Sequence, residues 1–285
     1  MRGPLAAFQV VWVFFMSNVV AMTIAGSDPS GGAGLQADLK TFHQHGVYGT
    51  TVTTLLTVQN TQTVIAVETL EPSLVLAQLD ALLADIPPLA AKTGALGTAA
   101  IIETVADRLA GCEFPLVVDP VMISKHGLAL LDPEAAQVMR SRLLPHAFLV
   151  TPNAFEAAKL AEMVVEDPAS MEKAAAAIAK MGPRHVLVKG GHLRGFATDI
   201  LYSKGELHTF PAEYIPTQNT HGSGCVFSAA ITAQLALGED LRSAIAKAKA
   251  FVTHAIRSNP SLGQGRGPTN LHATVPTKHK GATKR

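Results

Sequence analysis

Cysteine is scarce in this chain, and charge of either sign is sparse. Cys112 and Cys225 are the two cysteines among 285 residues, too few for a disulfide framework and typical of a protein of the reducing cytoplasm. Charged residues make up 16% of the sequence and the net charge is +1, so a nucleic-acid-binding surface is not predicted. Hydrophobic residues reach 48%, enough for a large core, and disorder is not expected.

A long hydrophobic run is also missing. The apolar segment at residues 5–15 is shorter than the roughly 20 residues that a spanning helix needs, so no membrane association is expected. It has no small-residue cleavage site of the kind that ends a signal peptide. Met16 directly precedes a well-formed first strand, which favours residues 1–15 as an extension or disordered N-terminus over a targeting segment. Residues 273–285 form a basic tail, interpreted as a frayed end.

Strand-like and helix-like segments alternate between residues 16 and 272. The predicted strands span 19–25, 47–58, 90–93, 115–119, 147–150 and 185–189, with a hairpin at 199–202 and 207–210. The predicted helices span 35–45, 72–83, 99–109, 133–144, 171–181, 225–237 and 241–258. This alternation predicts an α/β fold with a mostly parallel sheet covered by helices on both faces. No linker or repeat interrupts it, so residues 16–272 are predicted to form one domain.

The most informative motif is a glycine-rich turn that opens a buried helix, with the sequence Gly222-Ser223-Gly224-Cys225. Glycines let consecutive N–H groups point into one concavity, and the first turn of a helix attracts anions. The motif therefore predicts a phosphate site with Cys225 at the reacting end, its thiolate stabilised and its pKa lowered by the helix N-terminus. The alternative is a glycine-rich turn beside a core cysteine.

A second glycine-rich segment runs from Gly26 to Asp38 and contains Gly32-x-Gly34-x-x-Ala37. This pattern is a weak match to a dinucleotide fingerprint, because no acid follows at the end of the second strand. No Lys-Ser/Thr pair follows either, which excludes a P-loop. The glycines would instead let the backbone approach a small ligand. Asp38 is then a ligand-side carboxylate or, alternatively, a helix-surface residue paired with Lys40.

Polar side chains follow several predicted strands, where ligands gather in parallel sheets. Asp119 ends one strand, and such a carboxylate can hold Mg²⁺ beside a phosphate. Glu156 can do the same or serve as the third residue of a helix capped by Asn153. Lys189 ends another strand beside two glycines, where its charge would neutralise nucleotide phosphates.

Six motifs in a fixed order carry a family resemblance. They are Ala-Met-Thr-Ile-Ala-Gly-Ser-Asp-Pro-Ser-Gly-Gly-Ala-Gly-Leu-Gln-Ala-Asp-Leu-Lys-Thr-Phe at residues 21–42, Val58-Gln59-Asn60-Thr61, Val118-Asp119-Pro120-Val121-Met122, Thr151-Pro152-Asn153 with Glu156, Val188-Lys189-Gly190-Gly191-His192, and Asn219-Thr220-His221-Gly222-Ser223-Gly224-Cys225. On these residues the chain resembles the hydroxymethylpyrimidine/phosphomethylpyrimidine kinases of thiamine biosynthesis, in the ribokinase-like superfamily. The resemblance covers residues 16–272 and implies the three-layer ribokinase-like sandwich.

The resemblance also implies an activity and a set of site residues. Such enzymes use ATP and Mg²⁺ to phosphorylate 4-amino-5-hydroxymethyl-2-methylpyrimidine and then its monophosphate. The implied substrate-binding residues are Gln59, Gly26, Asp38 and Val121. Gly222, Ser223 and Gly224 would donate N–H groups to the transferring phosphoryl, and Cys225 would take the place of the usual aspartate base. The residues implied to serve ATP and Mg²⁺ are Asp119, Asn153, Lys189 and Glu156, with Asp119 and Glu156 at the metal.

Two departures from the family pattern leave alternatives open. Ala95 stands where many members have methionine against the substrate, which widens the pocket and admits pyridoxal kinase as a second function. Ser223 replaces the commoner threonine, with a hydroxyl retained. A non-catalytic pyrimidine-binding protein is a third possibility, disfavoured by the intact loop. Kinases of this fold are often homodimers, so the resemblance also implies a homodimer.

Overall fold

The chain is described here by a computed structural model that covers residues 19–123, 127, 128, 130–132, 134–191 and 197–275. The predicted N-terminal extension at 1–15 and most of the basic tail at 273–285 lie outside these residues. Within them, no helix combines the length and the apolar character needed to cross a bilayer.

Nine strands among the described residues form one sheet in the order β3-β2-β1-β4-β5-β6-β7-β8-β9. The strands are β1 (Val20–Ser27), β2 (Tyr48–Gln59), β3 (Val64–Thr69), β4 (Ala90–Thr93), β5 (Leu116–Val118), β6 (Leu149–Val150), β7 (His185–Val188), β8 (Asp199–Ser203) and β9 (Glu206–Phe210). Parallel pairing joins six strands in the sheet order β2-β1-β4-β5-β6-β7, whereas β3 pairs antiparallel with β2 at one edge and the hairpin β8-β9 pairs antiparallel with β7 at the other. The predicted mostly parallel sheet is therefore confirmed.

Helices cover both faces of this sheet. They are α1 (Gly34–Gln44), α2 (Pro72–Asp85), α3 (Ala99–Leu109), α4 (Ala135–Val138), α5 (Ala154–Ala161), α6 (Pro168–Ala179), α7 (Ser223–Ala236) and α8 (Leu241–Arg257). One apolar cluster joins α2, α3, α5 and α6 to strand residues such as Met22 and Val118. Two further clusters join α1, α7 and α8 to the opposite face, through residues such as Val117 and Leu187. Alternate strand residues thus face alternate layers, which is the pattern of a sheet buried on both sides.

Three elements differ from the sequence predictions. The predicted helix at 133–144 is α-helical only over Ala135–Val138, then widens to a π-helical turn at Met139–Leu143 and ends in a 3-10 turn at Leu144–His146. Strand β3 was not predicted, because it is a short edge strand whose exposed residues do not alternate with buried ones. Helix α6 begins at Pro168, three residues earlier than predicted, because Asp167 and Ser170 form a capping box.

The order of the strands locates the crevice where ligands bind. From β1 the chain adds β2 on one side and later β4 on the other, so the winding reverses between β1 and β4. In open α/β sheets, ligands bind outside the carboxyl ends of the strands at such a reversal. Gly26 and Lys92 lie at these ends, and both line one cavity.

Candidate active site

A cavity of about 420 Å³ opens at the carboxyl ends of the central strands. Every site residue predicted from the sequence lines it: Gly26, Asp38, Gln59, Asp119, Val121, Asn153, Glu156, Lys189, Gly222, Ser223, Gly224 and Cys225. The strands bring these residues together from separate parts of the chain, as the strand-end argument predicted. The cavity also contains Ala95, and it has the size of a site for a small molecule.

The anion loop, Gly222 to Cys225, enters helix α7 as the sequence predicted. Gly222 is the N-cap residue and has a left-handed backbone with φ +74°, which favours glycine. The N–H of Ser223 donates to the carbonyl of Thr220 at 3.2 Å and is therefore already engaged. The amides of Gly224 and Cys225 have no hydrogen-bond partner in the described part of the chain, so they are the first-turn donors that remain for an anion.

Asp28 ties this loop to the glycine-rich segment, a role that sequence reasoning missed. Its carboxylate accepts hydrogen bonds from the backbone amides of Ser30 (2.8 Å), Gly32 (3.2 Å) and Ala33 (2.8 Å), and from Nε2 of His221 (2.9 Å). Burial by itself would raise the pKa of Asp28, but hydrogen bonds from His221 and other side chains outweigh it and hold that pKa well below its usual range. These hydrogen bonds therefore join the two loops in the lining of the cavity.

The cluster of Asp119, Glu156 and Lys189 lies beneath the anion loop. Nζ of Lys189 lies 2.8 Å from Oδ1 of Asp119, and both residues are nearly buried. Ser228 donates from its hydroxyl to the other oxygen of Asp119 at 3.1 Å. Burial would raise the pKa of Asp119, but the charges of Lys189 and Lys92 outweigh it and lower the pKa. Asp119 therefore remains ionised.

The position of Glu156 is compatible with both predicted roles, as a helix-capping residue and as a Mg²⁺ ligand. It forms the predicted capping box with Asn153: the Glu156 carboxylate accepts from the Asn153 amide at 2.8 Å, and the Asn153 side chain accepts from the Glu156 amide at 2.9 Å. Its carboxyl group is also part of the cavity lining. Burial, together with the nearby charge of Asp119, raises the pKa of Glu156 to about 7 despite the opposing charge of Lys189.

Asp38 is wholly buried, which rules out the helix-surface alternative. Its Oδ2 accepts from Nζ of Lys92 at 2.8 Å and from the hydroxyl of Thr23 at 2.6 Å. Lys40, the partner considered in the surface interpretation, donates instead to the carbonyl of Gly31. The Asp38 side chain therefore belongs to the floor of the cavity.

The predicted lowering of the Cys225 pKa is wrong. Burial raises the pKa of Cys225 to about 12, and nearby Asp38 and Asp119 raise it further, although Lys92 opposes them. The helix N-terminus does not lower the pKa of Cys225 enough to offset the rise caused by burial of the sulfur. The thiol is consequently protonated at neutral pH, and only a small fraction exists as thiolate.

A second cavity of about 200 Å³ adjoins the first. The two share Lys189, Ser223 and Gly224 in their linings. Apolar side chains including Phe227 and Ile256 line the second cavity, and Lys249 lies at its edge, paired with the buried Asp199 at 2.6 Å. The anion loop thus stands between two compartments, as a group transferred from one ligand to another requires.

Comparison with known proteins agrees with this geometry. A family model described as phosphomethylpyrimidine kinase matches residues 28–270. A curated relative, the hydroxymethylpyrimidine/phosphomethylpyrimidine kinase of Synechococcus elongatus, is 46% identical over 255 residues, which cover 89% of this chain and 97% of the relative.

Two solved structures show how closely the fold is shared. Phosphomethylpyrimidine kinase from Clostridium difficile superposes with a TM-score of 0.75 at 42% identity, covering 84% of this chain and 99% of that one. The pyridoxal kinase of Staphylococcus aureus, solved with AMP-PCP and pyridoxal, gives a TM-score of 0.82 at 36% identity, covering 90% of this chain and 94% of that one. Similar folds therefore carry two related activities.

Proposed function

Because the chain belongs to the phosphomethylpyrimidine kinase family, we propose that it phosphorylates 4-amino-5-hydroxymethyl-2-methylpyrimidine and then its monophosphate, for thiamine biosynthesis. The observation that carries this proposal is the anion loop between two cavities, with Cys225 facing the larger one. ATP is the proposed phosphoryl donor. From the sequence we further propose a cytoplasmic, homodimeric enzyme whose kinase domain spans residues 16–272.

The larger cavity is the proposed acceptor site. The backbone of Gly26 and the side chain of Val121 form walls against which a flat heterocycle can pack, and Gln59 supplies an amide for hydrogen bonds to its polar edge. The hydroxymethyl group would point toward Cys225 and the amide of Gly224. Asp38 is the proposed substrate-binding residue in the cavity floor, where its carboxylate is paired with Lys92.

The smaller cavity is the proposed site of the nucleotide base and sugar. Its apolar lining suits a flat base, and it meets the acceptor site at Lys189 and Gly224. The γ-phosphate of ATP would then lie against the free amides of the anion loop, beside the Lys189 ammonium. This arrangement supports transfer in line from one cavity to the other.

Asp119 and Glu156 fit a Mg²⁺ ion that accompanies the nucleotide. Burial is the main cause of the raised pKa of Glu156, and the nearby charge of Asp119 adds to it, so a divalent cation would relieve the repulsion between these two carboxyl groups. Beside phosphates Mg²⁺ is usually held by one or two carboxylates, which Asp119 and Glu156 can supply. When bound, the ion would supply positive charge at the phosphates.

Transfer requires positioning and positive charge more than a strong base, because its transition state is loose. The amides of Gly224 and Cys225 and the ammonium of Lys189 supply these at the transferring phosphoryl. In the first step the hydroxyl proton has to leave, and Cys225 can accept it only in its thiolate form, which is the minor form at neutral pH. In the second step the acceptor is already a phosphate and needs no base.

Phosphorylation of pyridoxal is the second candidate function. The observation in its favour is Ala95, whose small side chain leaves room in the acceptor cavity, together with the likeness to a kinase solved with pyridoxal. Both substrates are nitrogen heterocycles with a hydroxymethyl group. Their relative rates, and not the fold, distinguish the two functions.

Product analysis by mass spectrometry tests the proposal. Protein beginning at Met16 would be incubated with Mg·ATP and, separately, with the hydroxymethylpyrimidine, its monophosphate and pyridoxal. Formation of the pyrimidine diphosphate is the expected result. Phosphorylation of pyridoxal alone would replace the first function by the second, and the absence of any product would overturn both.

A further inference from the structure

A largely buried ion pair, Lys249 with Asp199, lines the smaller cavity, which is the proposed site of the nucleotide base and sugar. Nζ of Lys249 lies 2.6 Å from Oδ2 of Asp199, and the exposed fractions of the two side chains are 13% and 3%. The same ammonium donates to the carbonyl of Ala197 at 2.6 Å. A buried pair is weak evidence for stability, because desolvation offsets much of its attraction. The contact made by its other carboxylate oxygen is more informative.

That oxygen, Oδ1 of Asp199, accepts a hydrogen bond from the backbone amide of Gly190 at 3.0 Å. Gly190 is buried and lies beyond the end of strand β7, where the pairing with β8 has stopped at Val188 and Ile200. Asp199 is the first residue of β8 and therefore lies beside this amide. Its side chain supplies the acceptor that the sheet no longer provides, and a buried amide needs one.

Gly190 directly follows Lys189, whose ammonium lies at the junction of the two cavities. The backbone amide of Lys189 donates to the carbonyl of Pro152 at 2.8 Å, so the chain is held just before Gly190 as well. Nζ of Lys189 lies 2.8 Å from Asp119, and a Cβ atom on Gly224 would be 3.4 Å from it. The hydrogen bond to Asp199 is thus one of two backbone contacts that determine where this ammonium meets the anion loop.

We propose that Asp199 is a positioning residue that acts through Lys189. By holding the Gly190 amide, it fixes the Lys189 backbone and so the place of the ammonium beside the γ-phosphate. Lys249 orients the Asp199 carboxylate and compensates its charge, which would otherwise repel a nucleotide in the same cavity. The inference rests on the proposed function, which places the γ-phosphate at the anion loop. Asp199 itself transfers no proton.

Two double variants isolate the hydrogen bond to Gly190. Asp199→Asn with Lys249→Met removes both charges and keeps a side-chain oxygen that can accept from the amide. Asp199→Leu with Lys249→Met removes the same charges and leaves no acceptor, at a similar side-chain size. Both proteins lose the bond from Lys249 to Ala197, so the ratio between them reports the hydrogen bond alone.

The kcat of each phosphorylation is expected to be about 100-fold lower in the leucine variant than in the asparagine variant, as a displacement of about 1 Å can cause. Both steps should fall by the same factor, because the anion loop serves both. The KM for the pyrimidine should change far less than kcat, since Lys189 is proposed to meet the phosphoryl group and not the heterocycle. Equal kcat values in the two folded variants would overturn the inference.

The same comparison in a Lys189→Met background distinguishes positioning from a general effect on the fold. The ammonium that Asp199 positions is then absent, so the asparagine and leucine variants should differ by no more than about twofold. Residues that act as a unit do not lose activity additively. If the ratio of about 100 persisted without Lys189, Asp199 would not act through it, and the inference would be wrong.

Binding of nucleotides, measured by calorimetry, gives a readout without turnover. The leucine variant should bind AMP-PCP about tenfold more weakly than the asparagine variant, as loss of a hydrogen bond to a charged group does. ADP, which has no γ-phosphate, should bind both variants alike, and an equal loss for both nucleotides would contradict the inference. Asp199→Ala with Lys249→Met replaces the leucine variant if that protein does not unfold cooperatively. If the unaltered protein binds AMP-PCP but phosphorylates neither pyrimidine, the proposed function fails, whereas the AMP-PCP comparison still decides the inference.

Discussion

Replacing Gly222 by alanine isolates the contact between the two glycine-rich loops. The added Cβ would overlap the carbonyl oxygen of Gly32 and lie 2.8 Å from its carbonyl carbon. Gly238, just beyond the other end of the same helix α7, provides a matched control. It also has a left-handed backbone, with φ +83° against +74° at Gly222, but a Cβ there would meet nothing within 4 Å.

The expected costs follow from this difference. Both substitutions place alanine in a left-handed conformation, which costs about 1–2 kcal/mol. At Gly222 the loops must also separate, and the neighbouring His221 would lose its 2.9 Å hydrogen bond to Asp28. Breaking a buried pair of this kind costs about 3–5 kcal/mol. The separation also moves the amides of Gly224 and Cys225 by about 1 Å, a displacement that can slow a reaction about 100-fold.

Urea unfolding and the rates of the two phosphorylations measure these effects. Gly222→Ala is expected to lower the free energy of unfolding by about 3 kcal/mol more than Gly238→Ala. It is also expected to slow both steps about 100-fold, since the anion loop serves both. If Gly222→Ala matched Gly238→Ala in unfolding free energy and in both rates, the loops would not be held together by this contact, and the reasoning would be refuted.

Three further predictions concern the cavity. Cys225→Ala should slow the first phosphorylation about 100-fold, as loss of a general base does, and leave the second nearly unchanged; equal losses in separately measured steps would make Cys225 a loop-shaping residue. The pKa of Glu156 is raised to about 7 in the folded protein. Between about pH 4.5 and 7 the folded protein therefore binds a proton that the unfolded chain lacks. The free energy of unfolding should fall as pH rises through that window. Binding of Mg·ATP near pH 7 should release this proton, which calorimetry in buffers of different ionisation enthalpy would measure. If the Glu156→Gln variant released the same proton on binding, the proton would come from another group. Ala95→Met should lower the rate with pyridoxal at least about tenfold more than the rate with the pyrimidine, by filling the cavity; an equal effect on both substrates would remove Ala95 from substrate choice.

Much of the fold could be predicted because its central strands are continuous apolar runs. The strand Ala90–Thr93 and the helix Ala99–Leu109 have the predicted bounds, and a threonine N-cap marks the start of that helix. Strand Val64–Thr69 could not be found in this way, because it is defined by its pairing with the C-terminal end of β2 at the sheet edge and has little buried surface of its own. Where tertiary pairing defines an element, local periodicity carries no signal for it.

The candidate site was predictable as a set of residues but not as a set of charges. Strand ends and glycine loops located Cys225 and Asp119, since topology gathers such residues at one edge. Sequence could not show that Asp28 pairs with His221, because 193 positions separate them. Nor could it show that Cys225 loses its water on folding, which reversed the predicted direction of its pKa shift.

The two buried lysines divide the chemistry between the cavities. Lys189, paired with Asp119, lies where both cavities meet, next to Gly224 of the anion loop, where we propose that the transferred group binds in either step. Lys92, paired with Asp38, lines the acceptor cavity and is not part of the lining of the second cavity. Loss of the Lys189 charge should therefore slow both phosphorylations alike.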